Sequence, residues 1–563
     1  MLFQERMKYL SRIDSLSKLK KFWNFILFLF CFSFANAQPH SIILGRPTDK
    51  SVTASILFEK AAQFYVQFGT SSGKYSGKTP VYTNTIHSPD EIDLSDLLPN
   101  TRYYYRVRYG SIGSEVFDAT PEYTFHTQRA TGSSFTFTIE SDEHLYDKKG
   151  VKNMYQVTLN NQAADHPDFM ISLGDIFGDD HNPFSITSAE VDSLHKDYRP
   201  FLGSICHSIP FYVCLGNHEG ENDYYYSFNK PDNLCIWGTK SRKFYYPNPF
   251  PNEFYSGNQT EEPFGVGSPE NYYAWKWGDA LFIVLDVYRE QCRDSLVAKP
   301  QGWNWTLGLP QYTWLKNTLE KSTETYKFVF AHHIRGQGRG GIAMATTNEW
   351  GGYQNTNGSN YTFPANRPGW AKPIHKLFVD NGVNIFFQGH DHVFAHEVLD
   401  NVTYQSVPMA ADSTYEIGML ANADAYVSDT VDGTGHIRVN VSPACVQVDY
   451  VKAYLPADTL SGLHHNREIG FSYTIGNCSS SGNTKIEKTD FVSVFPNPAK
   501  NKINLNFIGP ERPHQSRLIN HLGQIVVQTP ENEIDVSEID SGIYFLIIES
   551  EDLQCIKKVL VQH

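Results

Sequence analysis

Six short apolar runs divide the middle of this chain: Phe135 to Glu140, Phe169 to Leu173, Pro210 to Leu215, Leu281 to Leu285, Tyr326 to Ala331 and Val383 to Phe387. Helical patterns lie between them. Ile374, Leu377 and Phe378 share one helical face, and Asn381-Gly382 supplies a stop signal before the last run. Strands alternating with helices predict an α/β layer arrangement. Five of the six runs lead directly into a segment with Asp, Asn or His: Asp142 with His144, Asp175, Asn217 with His218, His332, and His390 with His392. Polar groups collected at the carboxyl ends of strands are what an open α/β site requires.

At 563 residues the chain exceeds one ordinary core, so several domains are expected. Residues 1–37 read as a signal peptide: Lys18, Lys20 and Lys21, an apolar run from Phe22 to Phe34, then Ala35-Asn36-Ala37 as a cleavage pattern. No other stretch is apolar enough to span a bilayer, so no transmembrane segment is expected in the mature chain. Residues 38–129 show short alternating runs such as Val52 to Phe58, Ala62 to Phe68 and Thr101 to Tyr109, with no helical period, which predicts an antiparallel sandwich. Residues 130–477 form the α/β domain, closed by strand-like patterns from Gly435 to Val441 and Ala444 to Tyr450. Residues 478–489 are rich in Ser, Gly and Asn and read as a linker. Residues 490–563 are a separate small β pattern.

Removing residues 1–37 takes six Lys/Arg and two Asp/Glu from totals of 47 and 61, leaving 41 basic against 59 acidic side chains. Such a surface repels polyanions, so no nucleic-acid partner is expected. Cys31 leaves with the leader. The other seven cysteines show no C-x-x-C spacing, which argues against a zinc ribbon; in an exported chain some pair, with Cys206 and Cys214 the candidates nearest in sequence.

The strand-end residues have the chemistry of a two-metal hydrolase, which needs cations about 3.5–4 Å apart, a bridging carboxylate, neutral imidazoles and open positions. In Asp142-Glu143-His144 the alternate residues point the same way, toward one metal. In Gly174-Asp175 the glycine permits close backbone approach. Gly216-Asn217-His218-Glu219 offers an amide oxygen and an imidazole, with Glu219 as the partner that orients His218. His332-His333 and Gly389-His390-Asp391-His392 end two further strands. The loop Arg335 to Gly341, with Arg335 and Arg339, suits anion recognition.

With these motifs in hand, the middle of the chain resembles the calcineurin-like metallophosphoesterase family, whose five motifs stand here as D-E-H, G-D, G-N-H-E, H and G-H-D-H. The resemblance implies a metal-dependent phosphoesterase. Asp142, His144 and His392 bind the first metal; Asn217, His332 and His390 the second; Asp175 bridges. By the same resemblance His218 is the catalytic imidazole, supported by Glu219; apart from it, the place of Arg335, Arg339 and His333 at and just after the His332 strand end leads to the expectation that they face the substrate. His332 is preferred to His333 as the ligand because the family ligand directly follows the strand. The implied cofactors are two divalent or trivalent ions, with Zn, Mn and Fe all compatible. The implied reaction is hydrolysis of phosphate monoesters on small molecules by hydroxide activated between the metals. A phosphodiesterase with the same ligands is the alternative, and a surface-displayed binding protein with a structural metal centre is a further one.

Leu309-Pro310-Gln311-Tyr312 with Trp314 and Leu315 also resembles purple acid phosphatases, and Leu98-Pro99-Asn100-Thr101 through Val107 resembles their N-terminal domain and fibronectin type III domains. Two departures stand out. Gly178 occupies the place of the family's iron-binding Tyr, and His144 is a histidine that purple acid phosphatases lack, so a purple Fe(III) centre is not expected. The tail, with Pro496-Asn497-Pro498, Leu522-Gly523-Gln524 and Ser541-Gly542-Ile543-Tyr544, resembles the C-terminal sorting domain of type IX secretion. That implies the type IX machinery as a partner, and a location that is secreted or on the outer-membrane surface. The expected fold class is thus multi-domain: an N-terminal β-sandwich, a central α/β metallophosphoesterase four-layer β-sandwich flanked by helices, and a small C-terminal β-sandwich.

Overall fold

The computed structural model describes residues 40–563 apart from 148, 179–181, 293–301, 335–338, 418–419, 427, 479–485, 488–491, 508–514, 521–524 and 550–552. The expected signal peptide therefore lies outside the described residues. Two compact units are present, residues 1–477 and residues 478–563.

The first unit begins with a β-sandwich. A three-stranded sheet of His40–Gly45, Val52–Phe58 and Pro89–Leu94 faces a sheet built on the long pair Gln63–Gly69 and Arg102–Gly110. Inward positions alternate along each strand, so Ile42, Leu44, Phe64, Val66, Tyr105 and Val107 close one core. This sandwich is fixed to the next domain by a buried arginine. Arg199, on the helix Ser188–Cys206, donates from Nη2 to the Ser55 carbonyl oxygen at 3.0 Å and from Nε to Ser41 Oγ at 3.0 Å. That helix starts with a capping box, Thr187 with Glu190.

The central domain packs two sheets face to face. One runs in the order Phe211–Val213, Phe169–Ser172, Phe135–Glu140, Thr434–Val441, Cys445–Ala453, Ile469–Gly476, its first three strands parallel. The other has eight strands, with Ala280–Val284, Tyr326–Phe330, Ile385–Gln388 and Val402–Ser406 adjacent and parallel at its centre. All six strand runs expected from the sequence are present, Phe135–Glu140 with the expected bounds and the other five shortened or shifted by a residue or two at their ends.

The layer between the sheets is aromatic. Phe137 stacks on Phe169 at 5.5 Å, Trp275 on Phe282 at 4.9 Å, and Phe330 on Phe387 at 5.1 Å. Each fully buried Phe contributes about 1.5–3 kcal/mol, so this layer holds the strand ends rigidly in place. Helices Lys152–Ala164 and Ser188–Cys206 cover one outer face with Tyr155, Leu159, Tyr198 and Leu202. Helices Gly308–Lys321 and Ile374–Asp380 cover the other with Leu315, Leu319, Leu377 and Phe378. Helix, sheet, sheet and helix make the four layers. No helix among the described residues is long and apolar enough to cross a membrane.

Cys206 and Cys214 are both free and buried, so they do not form the pair that their spacing suggested. The strand Phe211–Val213 separates them. Cys206 belongs to the core beneath the helices, where its Sγ lies 3.5 Å from Met170 Sδ, whereas Cys214 points into the layer between the sheets. Cys445, in the first unit, is disulfide-bonded.

The second unit is a small sandwich with a five-stranded and a three-stranded sheet. Ile503, Leu518, Ile534, Leu546, Ile548 and Val559 form its core. Its strand Ile486–Glu487, paired in parallel with Leu553–Val561, falls in the stretch expected to be linker. Two residues leave too short a pattern for periodicity to detect.

Candidate metal centre

Every segment that the strand-end argument selected reaches one buried cluster. Asp142 ends the strand Phe135–Glu140 by turning left-handed, and its Oδ2 accepts from the backbone N–H of His390 at 2.8 Å. Asp175 accepts the backbone N–H of His218 on Oδ1 at 2.9 Å, while its Oδ2 stands 3.2 Å from His332 Nε2 and 3.8 Å from both His144 Nε2 and His218 Nε2. Three sets of ligand atoms lie close enough together to hold a metal ion: Asp142, His144, His392; Asp175, His332, His390; and His144, Asp175, His218.

Backbone strain marks the same residues. Asp142, His144, Asp175, His390 and His392 all have φ between +48° and +67°. Such conformations cost about 1–3 kcal/mol each outside glycine and gather where structure serves function. The glycines of the motifs are required by contact. A Cβ on Gly216 meets Asp175 Oδ1 at 2.2 Å, and one on Gly389 meets Ser141 Oγ at 1.9 Å.

The residues present fit a pair of metal ions. Asn217 Oδ1 and His390 Nε2 are buried with no hydrogen-bond partner among the described residues, an arrangement costly unless a cation takes the lone pairs. Ring orientations are fixed from behind: His332 Nδ1 donates to the Leu173 carbonyl oxygen at 2.8 Å, and His392 Nδ1 to that of Leu420 at 2.8 Å. Without metal the carboxylates hold protons on the imidazoles. Burial opposes it, yet Asp142 and Asp147 push His144 up to about 9, and Asp175 and Asp142 push His332 up to about 10.

Glu219 does something other than orient His218. Its Oε2 accepts the N–H of Asp175 at 3.0 Å and of Gly216 at 2.6 Å, and its Oε1 the N–H of Ile176 at 2.7 Å and of Phe177 at 3.2 Å. A carboxylate taken up by four backbone donors positions the Asp175 turn. Gly178 ends that turn against the backbone of the next motif: a Cβ there meets the His218 carbonyl oxygen at 1.7 Å. A tyrosine cannot stand in this position, whereas His144 is present in the cluster.

His333 is fully buried, its ring 4.9 Å from that of His390 and its Nε2 3.8 Å from Asp391 Oδ2. It braces His390 from behind, and the expected substrate contact is not available to it. Arg339 Nη1 donates to Asp391 Oδ1 at 3.0 Å and to the His390 carbonyl oxygen at 3.2 Å, which sets a half-exposed guanidinium beside the cluster. Arg335 lies outside the described residues. Asp391, which also accepts from Gly340 N–H at 2.8 Å and Tyr426 Oη at 2.9 Å, was overlooked in the sequence although it sits inside G-H-D-H. Tyr146, whose Oη lies 2.9 Å from His144 Nδ1, was overlooked too; its nearness to His144 in sequence was the available signal.

The comparisons with known proteins agree with this geometry. The model of the calcineurin-like phosphoesterase family matches residues 135–394. That of the secretion system C-terminal sorting domain matches residues 493–562. No curated protein matches the chain. Among solved structures, a structure of PhoD aligns with TM-score 0.54 at 17% identity over 77% of this chain and 90% of its own. Purple acid phosphatase PPD1 from yellow lupin (Lupinus luteus) seeds aligns with TM-score 0.51 at 14% identity over 77% of this chain and 74% of its own. At these identities the likeness is one of fold.

Proposed function

We propose that this chain, whose residues 135–394 carry a calcineurin-like phosphoesterase domain, is an exported phosphomonoesterase that uses two metal ions. The observation that supports the reading is the convergence of Asp142, His144, Asp175, His218, His332, His390 and His392 on one buried cluster, beside which Asn217 Oδ1, next to His218 in sequence, is buried with no hydrogen-bond partner among the described residues. The His332 side chain is 0% exposed and that of His144 1%, whereas His218 is 15% exposed and so faces an incoming ester.

Asp142, His144 and His392 would hold the first ion and Asn217, His332 and His390 the second, with Asp175 shared between the two sets. When bound, the metals supply Lewis-acid activation of water and of the phosphoryl oxygens. His218 donates a proton to the departing alkoxide or hydrogen-bonds a phosphoryl oxygen. Arg339, anchored by Asp391, presents positive charge to the terminal phosphate. Export follows the sorting domain at residues 493–562, with residues 1–37 as the leader.

The test is hydrolysis of an aryl phosphate monoester against the matching diester by the full chain loaded with Zn, Mn or Fe, beside His218→Ala. Monoester turnover that falls by about 10²–10⁴ in the variant is expected. A preference for the diester moves the assignment to a phosphodiesterase, and no turnover of either ester with metal bound sinks the reading.

A further inference from the structure

Three rings stand together in and beside the metal cluster. His144 and His218 are 5.1 Å apart between centroids, His144 and Tyr146 5.6 Å, and Tyr146 and His218 5.7 Å. His144 is among the proposed ligands of the first metal, and His218 is the proposed catalytic imidazole. Tyr146 belongs to neither set.

The two nitrogens of His144 have separate tasks. Nε2 faces the cluster, 3.7 Å from Asp142 Oδ1, 3.8 Å from Asp175 Oδ2 and 3.0 Å from His392 Nε2. Nδ1 faces away and meets Tyr146 Oη at 2.9 Å. Asp147 Oδ2 stands farther off, 3.4 Å from the same Nδ1, and is drawn toward Lys149 Nζ at 3.2 Å. An imidazole that gives Nε2 to a metal keeps its proton on Nδ1 and needs an acceptor for it. The hydroxyl oxygen of Tyr146 is at hydrogen-bond distance, whereas the carboxylate is at the outer limit of one. Partners of this kind fix the tautomer and the orientation of a ligating ring.

We infer that Tyr146 is a positioning residue that holds His144 through its hydroxyl and His218 through its ring, and so ties the first metal position to the placement of the catalytic imidazole. The assignment rests on the metallophosphoesterase reading of the cluster. Tyr146 is half-buried and follows His144 by two residues, so a substitution there removes the support without opening the aromatic layer between the sheets.

The two contacts are separable by substitution. Tyr146→Phe removes the hydroxyl and keeps the ring; Tyr146→Ala removes both; Asp147→Asn removes the competing acceptor. The full chain, stripped of metal by a chelator, is titrated with Co²⁺ and followed by its visible d–d absorption, which reports ligand geometry without turnover. Tyr146→Phe is expected to weaken one Co²⁺ equivalent by about 10–100-fold and leave the other as in the parent. The His218 ring resonances, assigned with His218→Ala in ¹⁵N-histidine-labelled protein, are expected to stay in place in Tyr146→Phe and move in Tyr146→Ala. Two parent-like Co²⁺ equivalents in Tyr146→Phe, or a loss seen only in Asp147→Asn, overturn the assignment. Because neither measurement uses substrate, failure to hydrolyse an aryl phosphate counts against the proposed function alone.

Discussion

Glu219 accepts the backbone N–H of Asp175 at 3.0 Å, while Asp175 accepts the backbone N–H of His218 at 2.9 Å. The turn that carries the proposed bridging carboxylate and the turn that carries the proposed catalytic imidazole are therefore tied in both directions. Glu219→Gln replaces one acceptor oxygen with an amide that faces backbone donors. Leaving buried donors unmet costs about 1–3 kcal/mol. Thermal unfolding is expected to fall by that amount, and aryl phosphate turnover is expected to fall with it because Asp175 and His218 shift together.

Metal binding is expected to release protons. In the metal-free protein burial disfavours charge on His144 and His332, but the facing carboxylates hold them at about 9 and about 10. Both are protonated at neutral pH, and a ligating imidazole must be neutral. Affinity therefore drops as pH falls below about 9, by about tenfold per pH unit for each proton displaced. Titration calorimetry with Zn²⁺ in two buffers of different ionisation enthalpy measures the number directly; a value of zero at pH 7 contradicts the assignment.

The strands were legible because burial on both faces makes each of them a continuous apolar run, and the meeting of Asp142, Asp175, His332 and His390 was legible because parallel strands bring their carboxyl ends to one edge. Contacts across the sheet were not. Cys206 and Cys214 are eight positions apart in sequence, but a strand puts them in different cores. Glu219 reads in sequence as the neighbour of His218, yet four backbone donors from two turns claim its carboxylate. Arg339 reads as a free cation, whereas its hold on Asp391 is set by a loop meeting the G-H-D-H turn. Period and motif report what one element does; which side chain satisfies which backbone group depends on elements far apart in the chain.

Gly178→Ala tests whether that position is closed to any side chain. The added Cβ meets the His218 carbonyl oxygen at 1.7 Å and the Glu219 Cα at 2.4 Å, both backbone atoms with no rotamer to escape through. Overpacking of this kind costs about 1–3 kcal/mol. Thermal unfolding is expected to fall accordingly, and turnover is expected to fall further than stability alone explains, since the displaced backbone is that of His218. Unchanged turnover and stability contradict it.

Away from the metal cluster, Asp165 gives the domain a defined response to acid. Its Oδ2 accepts from His436 Nε2 at 2.8 Å, and its Oδ1 from Arg438 Nη1 at 2.9 Å and Arg467 Nη2 at 2.8 Å. Burial alone raises a carboxyl, but these three partners together hold Asp165 well below its ordinary 3.8. A carboxylate depressed in the folded state stabilises it above the unfolded value and loses that contribution as pH falls through the folded one. His436 acts in the same direction, because burial lowers it from 6.5 and acid must charge a ring that the fold keeps neutral. Asp165→Asn is expected to cost about 1–3 kcal/mol at pH 7. The gap to the parent narrows once the pH drops below about 4, where the parent's unfolded state also takes up its proton. Unfolding midpoints of both proteins from pH 3 to 8 measure this, and a gap that stays constant across the range contradicts it.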